Sequence, residues 1–208
     1  MNNIIDNNAE IVNNIREIYS IAPFNKLRDL IAKHFIPTRE EKKGNAEVST
    51  PVELCDDMLK SPLDEFWKTP KKVLEPCCGK GNILLGIVRK FDEGLKELYP
   101  DNEERIRIIM TECIYYADLT ALNVFITTEL LRCEFESICG VNEIDFEFNN
   151  YTGDTLELKI GDKWNINGFD MVCGNPPYNS SGDTATGNTI WQDFTKKSLN
   201  ELLMPNGY

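Results

Sequence analysis

The chain has 208 residues, of which 41% are hydrophobic and 27% charged, a composition typical of one globular domain with a full core. Its formal net charge of −12 argues against broad, non-specific binding of nucleic acid by these residues alone, because phosphate contacts require Lys and Arg. The sequence shows neither a membrane-spanning run nor a signal peptide, so it predicts an intracellular protein.

Cysteine and histidine usage narrows the chemistry further. The seven cysteines form no C-x-x-C pair, and His34 is the only histidine. We therefore predict reduced thiols, no metal site and no histidine-based triad.

The amino-terminal part is predicted to be helical. Apolar residues recur at helical spacing over residues 4–35, with a break at Ala22-Pro23, which indicates two helices. They could cover one face of a sheet or meet a partner, and the covering role is favoured. A charged linker over residues 37–45 follows. We place a domain boundary here, with a helical segment and linker at 1–45 and the main domain at 46–208.

A well-capped helix is predicted next, over residues 49–59. The hydroxyl of Ser49 or Thr50 could accept from free N–H groups, and Pro51 suits the first helical turn.

Residues 71–91 predict a strand, a glycine turn and a helix. The strand is Val73-Leu74, and the turn over residues 75–82 is Glu-Pro-Cys-Cys-Gly-Lys-Gly-Asn. Gly79 and Gly81 permit positive φ and a close approach of the backbone to a ligand. The turn is neither a P-loop nor a full G-x-G-x-x-G motif. Glu75 would repel a pyrophosphate, so the turn suits a cationic or amino-bearing ligand.

A second strand is predicted over residues 106–111, ending at Glu112. An acid at the tip of the second strand of a parallel nucleoside-binding sheet accepts hydrogen bonds from ribose hydroxyls. The spacing from Glu75 is long, so residues 93–105 are interpreted as an insertion. A helix with a core-facing apolar stripe is predicted over residues 115–131.

Residues 146–151 are a plausible third strand, which places Asp154 at its tip, within reach of the exocyclic amine of an adenine. The alternative is a hairpin that pairs residues 146–151 with residues 156–160 across a turn at Gly153-Asp154.

The stretch that ends in Asn175-Pro176-Pro177-Tyr178 carries the most specific signal. A buried strand around Val172 stops at Gly174, and two prolines then exclude both a helix and a central strand. The result is a stiff polar loop with an aromatic ring, at a strand end where α/β sheets bind ligands. It suits a flat, polar guest such as a nucleobase, although a plain proline turn has the same local pattern. A helix is predicted over residues 189–204.

These stretches together resemble the S-adenosylmethionine-dependent adenine-N6 DNA methyltransferases. Thr50-Pro51 resembles the amino-terminal motif of that family, and residues 75–81 are similar to its acid-Pro-x-Cys-Gly-x-Gly cofactor loop. The tetrapeptide Asn175-Pro176-Pro177-Tyr178 matches the catalytic motif at every position.

The resemblance implies an α/β fold, a Rossmann-like class I methyltransferase sheet with helices on both faces, truncated after the fourth strand and its helix. Residues 46–208 would be the catalytic domain, without a target-recognition domain. The implied catalytic residues are Asn175, Pro176, Pro177 and Tyr178. The implied S-adenosylmethionine-binding residues are Thr50, Pro51, Glu75, Pro76, Cys77, Gly79, Gly81, Glu112 and Asp154.

The implied reaction is methylation of adenine N6 in double-stranded DNA, in the setting of a restriction-modification system. The Asn175 side-chain carbonyl and the Pro176 backbone carbonyl would accept the two amine hydrogens, and Tyr178 would stack on a flipped-out base. A further carboxy-terminal region or a partner subunit would recognise the target sequence.

Three alternatives share the tetrapeptide. It also serves methylation of a glutamine side chain in release factors and of guanine in RNA, although those families usually carry an Asp-x-Gly-x-Gly type of cofactor loop. The third alternative is an inactive fragment that binds the cofactor or a partner without catalysis.

Overall fold

Four short parallel strands form the sheet that positions the rest of the chain. The computed structural model describes residues 2–21, 50–141, 144–178 and 189–208. The strands are β1 (Val73–Glu75), β2 (Ile114–Asp118), β3 (Asn149–Thr152) and β4 (Met171–Val172). The helices are α1 (Asn2–Ile21), α2 (Val52–Met58), α3 (Asn82–Gly94), α4 (Asn102–Ile108), α5 (Ala121–Cys139), α6 (Ile160–Trp164) and α7 (Trp191–Lys197).

The strand order is β3-β2-β1-β4, with all three pairings parallel. The chain leaves β1 towards β2 on one side, while β4 pairs with β1 on the other side. The order of the strands therefore reverses between β1 and β4. In open α/β sheets this switch point is where ligands bind, outside the carboxyl ends of the strands.

Side-chain alternation along the strands separates two buried layers. Val73 and Tyr116 face one layer, which contains the buried sides of α2, α3, α4 and α5. Leu74 and Tyr115 face the opposite layer, together with Ile160 of α6 and the turn after α7. The predicted α/β architecture, with helices on both faces of a parallel sheet, is confirmed. Along the outer edge of β4, the backbone of residues 203–208 forms a parallel bridge to Phe169 and hydrogen bonds to Asp170 and Val172.

The prediction for the second strand was wrong. Residues 106–108 belong to α4, and a π-helical turn, Ile109–Cys113, follows directly. The strand itself is Ile114–Asp118, within the stretch predicted as a helix, and that helix begins only at Ala121.

A helix start explains the error. The Asp101 side chain accepts a hydrogen bond from the Glu104 backbone N–H at 2.9 Å, which caps α4. An acceptor residue followed three positions later by Glu is the sequence signature of such a start. The apolar residues Ile106 and Ile109 are therefore the buried side of a helix, although their run also suits a strand. The predicted insertion is the end of α3, a loop and most of α4.

The region after β3 excludes the hairpin. The third strand lies at Asn149–Thr152, slightly later than predicted, and pairs with β2 in parallel. Residues 156–160 do not pair with it, because Thr155–Glu157 is a 3-10 turn capped by the Asp154 side chain and α6 follows at Ile160. The predicted helix after the Asn-Pro-Pro-Tyr loop is present as α7, followed by a π-helical turn, Ser198–Leu202.

The amino-terminal helix α1 packs against other helices. Ile15 and Ile18 are buried against Leu85 of α3 and Ile126 and Leu130 of α5. The second predicted helix and the linker lie outside the described residues, so the boundary at residue 45 stays a prediction. Across the parts of the chain that the structure describes, no helix combines the length and hydropathy that crossing a membrane requires.

A buried carboxyl group links α1 to α5. The Tyr19 hydroxyl donates to Glu134 Oε2 at 2.9 Å, and within the described residues Glu134 Oε1 has no hydrogen-bond partner. Burial raises the pKa of Glu134 to about 7, assisted by Asp92, while the Tyr19 hydrogen bond and the charge of Arg89 act in the opposite direction.

This raised pKa predicts a pH-dependent stability. The folded state holds a proton on Glu134 that the unfolded chain releases at lower pH, so the contribution of Glu134 to stability falls as pH rises from about 4.5 to about 7. We expect that loss to be on the order of 2–3 kcal/mol, and we expect Glu134→Gln to abolish it. Urea unfolding at pH 5 and pH 8 would measure it.

The matched control is Glu97→Gln, which changes an exposed carboxyl and should keep the pH dependence of the wild type. The same pH dependence in Glu134→Gln as in the wild type would show that Glu134 does not carry the effect.

Candidate functional site

A cleft opens where the carboxyl ends of β1, β2 and β4 meet, at the switch point of the sheet. The segments that follow these strands form its walls. Eight residues predicted from the sequence line it, namely Pro76, Cys77, Gly79, Asp154, Asn175, Pro176, Pro177 and Tyr178. Other lining residues, which the sequence reasoning missed, are Asp118, Leu119, Thr120, Asn123, Thr155, Ile190 and Phe194.

The glycine turn after β1 has the conformation that its sequence predicts. Gly79 has φ +50° and Gly81 has φ +80°, a region that residues with a Cβ rarely adopt. A Cβ on Gly79 would meet nothing within 4 Å, so this backbone borders open space. A Cβ on Gly81 would come within 3.2 Å of Thr127 Oγ1, so Gly81 allows the turn to pack against α5. Gly79 therefore faces the cleft, whereas Gly81 supports the turn from behind.

Asp118 is the acid at the tip of the second strand. Its Oδ2 accepts from the Gly79 N–H at 3.0 Å, and its Oδ1 accepts from the Thr120 N–H at 2.8 Å. Glu112 lies in the turn that precedes β2, at the opposite end of that strand, and it does not line the cleft. The prediction that Glu112 is the strand-tip acid is corrected, because the strand begins after Glu112 and ends at Asp118.

Glu75 is the last residue of β1, directly before Pro76, and it is not among the residues that line the cleft. It is 2% exposed, and its Oε2 has no hydrogen-bond partner among the described residues. Burial raises the pKa of Glu75 well above its ordinary value, the charge of Asp118 adds to the rise, and a backbone hydrogen bond from Leu84 opposes it. Burial also raises the pKa of Asp118. Two buried acids at the ends of neighbouring strands are groups whose charged forms a positively charged ligand group would stabilise.

The segment after β3 is fixed to the glycine turn. The Thr155 hydroxyl donates to the Pro76 carbonyl at 2.7 Å, and Asp154 Oδ1 accepts from the Leu156 N–H at 2.9 Å. Asp154 therefore lies at the cleft, where the sequence predicted it, on a turn held by both hydrogen bonds.

The Asn-Pro-Pro-Tyr loop lies beside the glycine turn. A Cβ on Gly174 would come within 3.0 Å of Pro76 Cδ, which shows how closely the two loops pack. The Asn175 amide nitrogen donates to Thr50 Oγ1 at 3.2 Å, across 125 positions of sequence. Tyr178 is 60% exposed at the rim, so its ring face is accessible.

Thr50 has a different local role from the one predicted. Pro51 is the N-cap residue of α2, and no side chain among the described residues caps this helix. The Thr50 hydroxyl contacts Asn175, and the Thr50 carbonyl accepts from the Asn82 amide at 3.3 Å. Ser49 lies outside the described residues. The segment thus joins the start of α2 to both loops of the cleft.

Two signals could have located the missed residues. Residues 114–117, Ile-Tyr-Tyr-Ala, are rich in strand-forming side chains, and Asp118 with Thr120 forms the side-chain-to-backbone turn that often precedes a helix. The apolar lining residues come from two distant segments, Leu119 just before α5 and Ile190 with Phe194 at the start of α7, so no local pattern indicated that they share a cleft.

Comparison with known proteins gives matches in sequence and in fold. The family model for N-6 DNA Methylase matches residues 29–202. An uncharacterised adenine-specific methylase from Mycoplasma pneumoniae (strain ATCC 29342 / M129) is 27% identical over 221 aligned positions, covering 75% of this chain and 52% of the relative. The chain thus spans about half the length of this curated relative.

Two solved structures have a similar fold at low sequence identity. The DrdV–DNA complex aligns with a TM-score of 0.56 and 16% identity, over 86% of this chain and 19% of that one. A protein from Vibrio vulnificus YJ016, described as a modification subunit of a type I restriction enzyme, aligns with a TM-score of 0.52 and 12% identity, over 85% of this chain and 34% of that one. Since the family model matches most of the residues, including both loops of the cleft, this chain belongs to the N-6 DNA methylase family.

Proposed function

We propose that this chain transfers a methyl group from S-adenosylmethionine to the exocyclic N6 amine of adenine in DNA. The observation that carries the proposal is that the Asn-Pro-Pro-Tyr loop and the glycine turn line one cleft. A methyl donor and an amine acceptor have to meet at one point, and two loops at the ends of neighbouring strands offer that arrangement. Family membership supports the same reaction.

The cleft suits a ligand with cationic and nucleoside parts. The unpartnered Oε2 of Glu75 and the two raised acid pKa values favour positive charge nearby. We assign Asp118 to the ribose hydroxyls, Asp154 to the adenine amine of the cofactor and Gly79 to close backbone contact. Bound S-adenosylmethionine would supply a methyl group activated by the positive charge on its sulfur.

Asn175 and Pro176 are the proposed acceptors of the two hydrogens on the target amine. The lone pair of that amine is delocalised into the base, so two acceptors would help the nitrogen to pyramidalise and direct its lone pair. The Asn175 amide nitrogen already donates to Thr50 Oγ1, which leaves the amide oxygen as the atom available to accept. Catalysis here is mainly positioning and electrostatic stabilisation, without a strong general base.

Tyr178 is proposed to stack on the target base once the base has left its duplex. Its accessible ring at the rim of the cleft suits this role. Stacking contributes about 1–3 kcal/mol per base, while flipping costs a few kcal/mol. Tyr178 would therefore stabilise a flipped base without being sufficient to flip it.

We also propose that phosphate contacts are supplied largely from outside these 208 residues. The net charge of −12 opposes close approach to a polyanion. A further region of the protein or a partner subunit with Lys and Arg would hold the duplex and recognise its sequence.

The molecule that receives the methyl group identifies the reaction. The complete protein would be incubated with methyl-labelled S-adenosylmethionine and, in parallel, with unmethylated DNA or a release factor. The nucleosides of the DNA and the amino acids of the release factor would then be analysed by chromatography and mass spectrometry. We expect label in N6-methyl-2′-deoxyadenosine. Label in glutamine of a release factor would instead support the protein-glutamine reaction. Cofactor binding without transfer to either acceptor would indicate an inactive binding protein.

A further inference from the structure

Lys80 occupies an unusual position for a lysine, because it belongs to the glycine turn and is only 8% exposed. Its ammonium group donates to Asn123 Oδ1 at 2.5 Å. Asn123, on α5, is 2% exposed, and its amide nitrogen donates to Asp118 Oδ1 at 3.1 Å. The three side chains form a continuous buried chain of hydrogen bonds that ends on the acid of the cleft.

The chemistry of the two ends gives the central amide one orientation. An ammonium group can only donate hydrogen bonds, and an ionised carboxylate can only accept them. If the Asn123 amide were flipped, its NH₂ would face the Lys80 ammonium and its oxygen would face the Asp118 carboxylate. Buried contacts of that kind are costly, so Lys80 and Asp118 together determine the direction of the amide.

The same contacts determine which oxygen of Asp118 remains open to a ligand. Among the described residues, Oδ1 accepts from both the Asn123 amide and the Thr120 N–H, whereas Oδ2 accepts only from the Gly79 N–H. A carboxylate oxygen accepts about two hydrogen bonds in its plane. Oδ1 is therefore satisfied within the protein, and Oδ2 retains an acceptor position.

We propose that Lys80 and Asn123 are positioning residues that hold the Asp118 carboxylate so that Oδ2 accepts from a ribose hydroxyl of the nucleoside ligand. This inference rests on the proposed function, because it concerns the cofactor cleft. It adds Lys80 and Asn123 to the residues assigned to cofactor binding, and both act through Asp118.

The electrostatics of the site support the role. Burial raises the pKa of Asp118, while the hydrogen bonds from Thr120, Gly79 and Asn123 and the charge of Lys80 oppose the rise. Asp118 also interacts electrostatically with Glu75, Cys77 and Cys78, each of which is negative when it is ionised. Within that group of described residues, Lys80 provides the positive charge.

The test compares two ligands that differ only in the ribose hydroxyls, S-adenosylhomocysteine and its 2′,3′-dideoxy counterpart, by titration calorimetry. A hydrogen bond to a charged acceptor should make the wild type prefer the hydroxylated ligand by about tenfold or more. In Asn123→Leu we expect this preference to fall at least about threefold, because Asp118 loses the donor that orients it.

A second variant tests the inference without leaving a buried polar group unpaired, which could unfold the protein. The double change Lys80→Met with Asn123→Leu removes both buried polar partners together, which leaves neither a buried charge nor an amide unpaired. It should also lose the preference for the hydroxylated ligand. The control is Lys96→Met, which removes an exposed lysine that is paired with Glu93. This variant should prefer the hydroxylated ligand as strongly as the wild type does.

The outcomes are separable. Weaker binding of both ligands by an equal factor, with the wild-type preference retained, would show that Lys80 and Asn123 serve only the fold and would overturn the inference. A wild type that binds neither ligand, or binds both equally, would overturn the cofactor assignment of the proposed function and this inference with it. Loss of the preference in both variants supports the positioning role.

Discussion

Replacing Asn175 with alanine is expected to reduce methyl transfer to DNA by at least about 100-fold while cofactor affinity changes by less than about threefold. Removing one positioned polar group that acts in the transition state typically costs on the order of 100- to 1,000-fold in kcat. Asn175 lies in the cleft, and the hydrogen bond from its nitrogen to Thr50 leaves the amide oxygen to act on the target amine. The assay measures label transferred to DNA, with calorimetry of S-adenosylhomocysteine binding alongside.

The control for this variant is Asn200→Ala, which removes an exposed asparagine amide on the turn after α7. It should transfer methyl groups at the wild-type rate. Transfer by Asn175→Ala at that same rate would exclude Asn175 as the amine acceptor. A large loss of cofactor affinity in Asn175→Ala would assign the residue to cofactor binding instead.

The sequence predicts best the parts of the cleft that are made by local backbone chemistry. Gly79 and Gly81 adopt the positive φ values that glycine alone tolerates well, and the two prolines after Asn175 prevent β4 from continuing. These features depend on residues that are adjacent in the chain. Both loops could therefore be located without knowledge of the packing around them.

The second strand could not be located in this way, because two neighbouring segments both suit a strand. Ile106 and Ile109 are apolar and β-branched, yet the capping contact between Asp101 and Glu104 starts a helix that carries them into the core. The run that ends at Asp118 forms the strand, because its residues alternate between the two buried layers of the sheet. That choice depends on long-range packing, which propensity alone does not determine.

The hydrogen bond between Thr50 and Asn175 illustrates a second limit of sequence reasoning. A Ser/Thr-Pro start indicates a helix cap, and the local pattern gave no reason to expect another partner. The structure instead directs the Thr50 hydroxyl to the other motif of the cleft, 125 positions away. The function of a polar side chain next to a helix start thus depends on what the fold brings within reach of it.

Asp118→Ala is expected to weaken binding of S-adenosylhomocysteine by roughly 10- to 100-fold, whereas Glu112→Ala should leave it unchanged. Hydrogen bonds to a charged acceptor are worth about 1.5–3 kcal/mol each, which corresponds to this range of affinity. Asp118 lies in the cleft, while Glu112 lies before β2 at the opposite end of that strand. Calorimetric titration of both variants and the wild type would give the three affinities.

Each of the two changes, Asp118→Ala and Glu112→Ala, removes one carboxyl group next to β2. A difference in affinity between them would therefore come from the position of the carboxyl group and not from the loss of an acid as such. Asp118→Asn provides an isosteric variant that lowers the risk of a local collapse around Gly79 and Thr120, whose N–H groups donate to Asp118. Thermal unfolding of each variant would confirm that it is folded. Stronger loss of affinity in Glu112→Ala than in Asp118→Ala would contradict the assignment, since a carboxyl at the far end of β2 cannot reach a ligand held at its carboxyl end.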